Sequence, residues 1–174
     1  MKFRLIALLV VLSIPALAVA QKHAAKKKGN GYIGYQYTGV TYNQKLPNGV
    51  RDLGGSLLEN ENYGVSRMKK GKTEMLWLTR ITGRNWSGLP NWQVKDVIYL
   101  PQLKENQEIL QGMTFPCTIN KKEDLNLIVL AELLPEKNSY SIQKAWRADT
   151  RTKKFEAVST RGISCENEGD DGDG

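Results

Sequence analysis

The sequence predicts a mainly β protein: a single antiparallel sheet domain, sandwich- or barrel-like, with six or seven strands and at most one short helix. Two observations lead to this prediction. From Tyr63 onward, short runs rich in branched and aromatic residues alternate with turns of Gly, Pro, Asn and Lys. The chain has 174 residues, 40% of them hydrophobic, which is enough material for one core and too little for two.

The first twenty residues have the parts of a secretory signal peptide. Lys2 and Arg4 give a positive start, an unbroken aliphatic run follows, and the small residues 18–20 precede a cleavage point before Gln21. The uncharged stretch is shorter than the roughly 20 residues that cross a bilayer. We therefore expect an exported protein, periplasmic or secreted, with no transmembrane anchor after cleavage.

The composition divides the rest of the chain into three parts. Residues 21–61 are predicted to be a flexible leader rich in Lys, Gly and Tyr, because large aliphatic side chains are too few to offset the entropy of ordering them. An adhesive or base-stacking segment is the alternative interpretation of this Gly/Tyr stretch. Residues 62–165 are the predicted β domain, and the acidic residues 166–174 a disordered tail.

The first half of the β domain contains three predicted strands. Tyr63–Met68 turns at Lys70-Gly71 into Thr73–Thr82. In the second run Met75 and Trp77 share one face and Leu76 and Leu78 the other, which favours a central strand. Trp92–Leu100 is the third run, and Pro101 ends it. Residues 104–111 fit either a short helical turn or an irregular connection.

The second half begins with the most apolar run of the mature chain, Leu125–Leu134, which ends at Pro135. Its ten residues lack a clear period and are compatible with a buried strand or a short helix, of which we favour the strand. Tyr140–Trp146 and Phe155–Ile163 are separated by the polar residues 149–154. This pattern predicts a β-hairpin that leads to Cys165.

Cys117 and Cys165 are the only two cysteines of the chain. In an oxidising compartment an even pair in a small domain is far more often a disulfide than a redox or metal site. We therefore predict that they form a disulfide. The loop closed by this bond would stabilise the fold by roughly 4 kcal/mol in the chain-entropy model.

Several chemistries are made improbable by the residues present. His23 is the only histidine and lies in the leader, so catalysis or zinc binding by a histidine of the β domain is excluded. Gly71-Lys72-Thr73 resembles the end of a phosphate-binding loop, but the required earlier glycine is absent. The acidic tail lacks the spacing of a calcium-binding loop. No catalytic residue, cofactor or metal site is therefore assigned.

A carboxylate pair remains a possible source of hydrolase activity, because glycoside hydrolysis needs two carboxyl groups roughly 5 to 10 Å apart. The sequence does not bring any two together. The candidate acids in the β domain are Glu74, Asp96, Glu108, Glu132 and Asp149.

A mixture of cations and tryptophans around the predicted turns indicates a binding surface. Trp86 lies in a polar turn, where an exposed ring more often marks binding than packing. The residues assigned to this surface are Trp86, Arg84, Arg80, Lys70 and Lys72. A basic hairpin tip over core tryptophans is the alternative interpretation. Residues 29–163 hold 19 bases and 13 acids, a surplus that favours anionic surfaces without naming a partner.

Five segments resemble small exported bacterial proteins of uncharacterised function, over roughly residues 73–169. They are V-K-D-V-I-Y-L-P, P-C-T-I-N, L-I-V-L-A-E, K-A-W-R-A-D-T-R-T-K-K-F-E and G-I-S-C-E-N-E-G. The resemblance implies bacterial export and one domain with paired cysteines, and it carries no known site.

Together these patterns predict a non-enzymatic binding or structural module of the cell envelope. Its partner would be an anionic envelope component, a glycan or a protein, and no nucleic acid is expected. A small exported hydrolase that depends on carboxylates is the alternative.

Overall fold

The structure, a computed structural model, describes residues 31–39, 46–112, 115–134 and 139–165. Within these ranges the protein is mainly β, as predicted, and all strand pairs are antiparallel. The strands are β1 (Gln36–Thr38), β2 (Val50–Leu57), β3 (Tyr63–Lys70), β4 (Thr73–Arg84), β5 (Pro90–Tyr99), β6 (Gln107–Gln111), β7 (Cys117–Ile119), β8 (Lys122–Glu123), β9 (Leu127–Leu134), β10 (Ser139–Asp149), β11 (Lys154–Val158) and β12 (Ile163–Cys165). The predicted signal peptide and acidic tail lie outside the described residues.

These strands form three sheets, which corrects the predicted single sheet of six or seven strands. The first sheet has the order β1-β5-β4-β3-β2, the second β11-β10-β9-β6 and the third β12-β7-β8. The described residues form twelve strands, more than the six or seven predicted. Four of the twelve, β1, β7, β8 and β12, are only two or three residues long. Strands that short contain too few positions to show an alternating pattern.

β4 is a central strand, as its two apolar faces predicted. It pairs with β3 on one side and β5 on the other. Leu76 and Leu78 join a core between the first and second sheets, here called the central core. Met75 and Trp77 point to the opposite face of the first sheet and join a second cluster, here called the aromatic core.

The aromatic core includes residues from the segment predicted to be a flexible leader. Tyr37 on β1 and Val50 on β2 are buried in it, and Tyr32 and Tyr35 pack against it. The prediction of a leader over residues 21–61 is therefore wrong where β1 and β2 lie, and the sheet domain begins before residue 62. The tyrosine rings supply the apolar area that aliphatic side chains do not.

β9, a central strand of the second sheet, is buried on both of its faces. Ile128 and Leu130 of β9 belong to the central core, while Leu127 and Val129 belong to a third cluster under the third sheet. This two-sided burial explains the unbroken apolar run, and the prediction of a strand there is confirmed. β10 and β11 form the predicted hairpin, and residues 107–111 form strand β6 and no helix.

Cys117 and Cys165 form the predicted disulfide within the third cluster. They are directly opposite each other on β7 and β12. The bond joins residues 48 apart in sequence and ties the last described strand to the third sheet. In the described residues no helix is long and apolar enough to cross a membrane.

Candidate functional site

A cleft of about 310 Å³ opens on the face of the first sheet that carries the aromatic core. Both edge strands contribute to it, Tyr37 from β1 and Asp52 from β2. β-Bulges interrupt the β2–β3 and β4–β5 pairs, and bulges bend strands and increase their twist. The bent sheet therefore encloses the cleft between its edges. The lining residues are Tyr37, Gly39, Asp52, Gly55, Ser56, Leu57, Glu61, Gly64, Ser66, Thr79, Ile81, Arg84, Pro90 and Trp92.

Tyr37 forms the floor of the cleft and is 5% exposed. Burial raises the pKa of its phenol to about 12, and the nearby Asp52 carboxylate adds to this increase. Hydrogen bonds with the hydroxyls of Ser66 and Thr79 act in the opposite direction. The phenol is therefore neutral at physiological pH, and the floor of the cleft presents hydroxyl groups and an aromatic edge.

One side of the cleft is the half-buried indole of Trp92. This ring extends over Gly64, where a Cβ atom would lie 3.5 Å from Trp92 Cη2 and 3.2 Å from the Ser56 carbonyl oxygen. A side chain at position 64 would therefore take space from both the ring and the cleft. Ile81 and Leu57 add apolar area to the same lining.

The charged groups of the cleft are mostly acidic. Among its described lining residues Asp52 and Glu61 carry carboxylates and Arg84 carries the positive charge. Asp52 Oδ1 accepts a hydrogen bond of 2.7 Å from the Gly54 amide, which orients the carboxylate at the β2 bulge. Arg84 donates to the Gly88 carbonyl at 2.9 Å. The cleft thus combines one aromatic wall, several hydroxyls and two acids.

Trp86 lies in the β4–β5 turn, two residues from Arg84, and is 97% exposed, as predicted. Hydrogen bonds within the turn fix its backbone. The Asn85 side-chain oxygen accepts hydrogen bonds from the amides of Ser87 and Leu89, and the Asn85 and Leu89 main chains also pair. The indole is therefore presented to solvent from a turn with a defined backbone, at the same end of the sheet as the cleft.

The five residues of the predicted binding surface do not form one patch. Lys70 and Lys72 flank the β3–β4 turn, whereas Arg84 and Trp86 lie at the opposite end of β4. β4 has twelve residues, a length of roughly 35 Å at about 3.3 Å per residue. Arg80 lies between them, with its guanidinium 5.9 Å from the centre of the Tyr63 ring on the other face of the sheet. Only Arg84 lines the cleft.

Each of the five acids proposed for a hydrolase has a structural contact of its own. Glu74 pairs with Arg67 and Lys69. Asp96 accepts a hydrogen bond from the Phe155 amide, and Glu132 accepts one from the Asn106 side chain. Glu108 is hydrogen-bonded to Tyr140, and Asp149 accepts from the turn amides of residues 151 and 152. None of these five lines the cleft.

Asp52 and Tyr37 were missed because both fall in the range predicted to be a leader. A weak signal is present, since Tyr35 and Tyr37 alternate with polar residues as in a strand with one buried face. In the ranges that the structure describes, no three His, Cys, Asp or Glu side chains lie close enough to hold a metal ion.

Comparison with known protein families, with curated proteins and with solved structures finds no match to this chain. The cleft and the turn beside it are therefore the features of the chain that point to a function.

Proposed function

We propose that this protein is an exported, non-enzymatic binding module of the cell envelope, and that the cleft on the first sheet takes a sugar unit of a glycan. The observation that carries the proposal is the combination of Trp92, Tyr37 and two carboxylates around one opening. Pockets of about 300 to 1,000 Å³ with a few convergent polar groups are typical of small-ligand sites. A volume of about 310 Å³ fits one small ring.

The chemistry of the lining favours a polyhydroxylated ligand. The carboxylates of Asp52 and Glu61 accept hydrogen bonds from ligand hydroxyls, and the hydroxyls of Ser66 and Tyr37 can donate or accept. An indole such as that of Trp92 offers an apolar face with a large contact area, against which the C–H face of a sugar ring packs.

The charge of the lining disfavours an anionic ligand inside the cleft. Two carboxylates face one guanidinium, and a ligand anion would repel the carboxylates at short distance in a partly desolvated site. Of the three partner classes considered from the sequence, a glycan with neutral sugar units therefore suits the cleft best. Trp86, exposed at the same end of the sheet, would provide a second contact for a longer chain.

Tryptophan fluorescence titration with neutral oligosaccharides tests the proposal. The purified protein is titrated with oligosaccharides of glucose, galactose and N-acetylglucosamine. Trp92→Ala should weaken binding about tenfold or more, which corresponds to about 1.4 kcal/mol. Trp86→Ala should weaken binding of the longer oligosaccharides while the fold is retained, because its side chain is almost fully exposed.

Trp146→Ala is the matched control, since Trp146 is also partly buried but packs against the central core away from the cleft. It should lower the thermal midpoint and leave the affinity unchanged. If Trp92→Ala and Trp146→Ala bind all oligosaccharides as well as the natural protein, the cleft is not the binding site.

A hydrolase is the second candidate, and one observation favours it. Asp52 and Glu61, which the sequence did not nominate, line the same cleft. Two carboxyl groups beside a bound sugar are what glycoside hydrolysis requires. Release of new reducing ends from the oligosaccharides, lost in both Asp52→Asn and Glu61→Gln, would establish the enzyme in place of the binding module.

Export is tested separately by the intact mass of the protein recovered from its own host. We expect a chain that starts at Gln21, with a mass two hydrogens below that of the reduced form. The disulfide and the signal-like N-terminal pattern support this expectation. A mass that retains residues 1–20 would argue against export by a cleaved signal.

A further inference from the structure

Three cations converge at a position away from the cleft, where β4, β5 and the β10–β11 turn meet. Arg80 on β4 is directly opposite Gln93 on β5. The Gln93 side-chain oxygen accepts a hydrogen bond from Lys95 Nζ. Lys95 occupies the extra position of the bulge between Val94 and Asp96. This bulge changes the alternation of β5, so that Lys95 reaches back toward the same side as Arg80.

The third cation comes from the second sheet. The Phe155 amide donates a hydrogen bond of 2.8 Å to the carboxylate of Asp96, which fixes the start of β11 against β5. Lys153 precedes this contact by two residues and has a φ of +58°. The left-handed region is costly for a residue with a side chain, so the conformation of the turn is maintained by its surroundings.

The three cations are close enough to affect one another. Burial lowers the pKa of Lys95, and the positive charges of Lys153 and Arg80 lower it further. Arg80 is held over the ring of Tyr63, with 5.9 Å from its Cζ to the ring centre. The contacts of Arg80 with Tyr63 and of Lys95 with Gln93 thus keep positive charges near one another, although the charges repel.

No carboxylate among the described residues forms a salt bridge with Arg80, Lys95 or Lys153. The salt bridges of this part of the chain instead involve other cations, namely Arg67, Lys69, Arg147 and Arg151. The acids nearest in sequence have other partners: Asp96 accepts from the Phe155 amide, Glu156 accepts from the Thr152 hydroxyl, and Asp149 accepts from the turn and pairs with Arg151. None of these acids forms an ion pair with the three cations, which leaves their donors free for an external anion.

We propose that Arg80, Lys95 and Lys153 form a binding site for a phosphate group. A guanidinium and two ammonium groups, from β4, β5 and the β10–β11 turn, can donate hydrogen bonds to the oxygens of a phosphate group. The site does not depend on the proposed glycan cleft, since none of the three residues lines the cleft.

The test is a titration of the purified protein with inorganic phosphate at constant ionic strength, followed by NMR of the lysine side chains. The signals of Lys95 and Lys153 should shift and saturate. The pKa of Lys95 should rise toward its ordinary value of 10.5, because a bound anion stabilises the ammonium form. Shifts that stay linear in phosphate, or that are equal for all lysines, would overturn the proposal.

Variants separate a local site from the general positive charge of the protein. Lys95→Gln should weaken phosphate binding about tenfold, the loss expected for one charge-assisted hydrogen bond. Lys95→Arg retains the charge and should recover part of the affinity. Lys72→Gln removes the same charge from the exposed β3–β4 turn and should change the affinity less than about twofold. Equal weakening by Lys95→Gln and Lys72→Gln would reduce the effect to net charge and contradict the proposal.

A phosphate group can belong to a soluble ester or to a lipid headgroup, and sedimentation with vesicles distinguishes the two. Binding to phosphatidylglycerol vesicles that Lys95→Gln weakens and Lys72→Gln does not would assign the group to a lipid. Saturable binding of inorganic phosphate without vesicle binding would assign it to a soluble ester. Saturation by neither probe would overturn the site.

Discussion

The ring of Tyr32 lies against the indole of Trp77, with their centroids 5.0 Å apart and their planes at 38°. Tyr35 and Tyr37 approach the same indole at 6.3 and 6.1 Å. Trp77 is thereby fully buried on the face of the first sheet away from the second sheet. The three tyrosines of residues 31–39 are therefore part of the aromatic core, and they cover this face of the first sheet.

Replacing Tyr32 by Ala should lower the free energy of unfolding by about 1 to 2 kcal/mol, because a partly buried aromatic contact is lost. The emission of Trp77 should also move to longer wavelength as water reaches the indole. Urea unfolding followed by fluorescence measures both effects. Tyr99→Ala is the control: Tyr99 is 51% exposed, and its loss should change stability by less than about 0.5 kcal/mol. Equal stability of the Tyr32→Ala variant and the natural protein would contradict a covering role.

The parts of the fold that could be predicted are those whose residue pattern within one segment is enough to identify the strand. β4 and β9 are long and apolar on both faces, so their burial between two layers is visible in a single segment. The β10–β11 hairpin and the disulfide were likewise visible, the first from two runs around a polar turn and the second from the count of cysteines.

β1 and β2 could not be predicted, because their apolar area depends on contacts with distant residues. β2 contains Gly54 and Gly55, which look like loop residues in the sequence. Gly54 has a φ of +105° at the bulge, and a Cβ on Gly55 would lie 2.3 Å from the Val65 carbonyl oxygen. Strand β2 therefore requires both glycines, whereas a pair of glycines in a sequence usually indicates a loop.

The candidate site was predictable only in part, for a similar reason. The exposure of Trp86 follows from its polar turn and is local information. The cleft combines Tyr37, Asp52 and Trp92 from three strands, and only the register of the sheet brings them together. The cation cluster likewise depends on a bulge and on a contact between sheets, neither of which has a signal in the sequence.

Removal of the disulfide should have a large effect on stability. Replacement of both Cys117 and Cys165 by Ala should lower the free energy of unfolding by about 4 kcal/mol, since the bond closes a long loop in the unfolded chain. Chemical unfolding of the double variant measures this loss. A thiol assay on the natural protein should find no reactive thiol from these residues before reduction and two afterwards. A loss below about 1 kcal/mol would mean that the third sheet is held chiefly by its packing.

Glu74 should make the fold sensitive to acid. Burial alone would raise the pKa of this carboxyl, but hydrogen bonds from Lys69 and Arg67 outweigh burial and lower the pKa below its ordinary value of 4.5. The stabilisation is therefore fully present above about pH 4.5 and is lost as the pH falls through the lowered pKa. Glu74→Gln should cost about 1 kcal/mol at neutral pH.

The pH dependence of stability distinguishes the ion pairs of Glu74 with Arg67 and Lys69 from a general effect of charge. The difference in stability between Glu74→Gln and the natural protein should disappear in strong acid, which unfolding curves at several pH values measure. Glu123→Gln removes an exposed carboxylate on β8 and should change stability little at any pH. A constant difference across the pH range would assign the effect to packing of the side chain.

Tyr37 should keep its proton to unusually high pH. Burial raises its pKa from 10 to about 12, and Tyr140 reaches a similar value through burial and the nearby Glu108 carboxylate. Because the folded pKa exceeds the unfolded one, the stabilisation is complete below about pH 10 and is lost as the pH rises toward 12. Absorbance of the tyrosinate at alkaline pH should therefore show late ionisation of both of these phenols while the fold persists.

Substitutions assign these two phenols. Tyr37→Phe should remove one late step, and Tyr140→Phe the other. Glu108→Gln should bring the Tyr140 step to lower pH and leave the Tyr37 step in place, because Glu108 acts on Tyr140 alone of the two. A sugar bound in the cleft should delay the Tyr37 step further, since the ligand covers the floor and removes water from the phenol. A Tyr37 step near pH 10 in the folded protein would mean that water already reaches the floor of the cleft, and the site would be wider than its lining indicates.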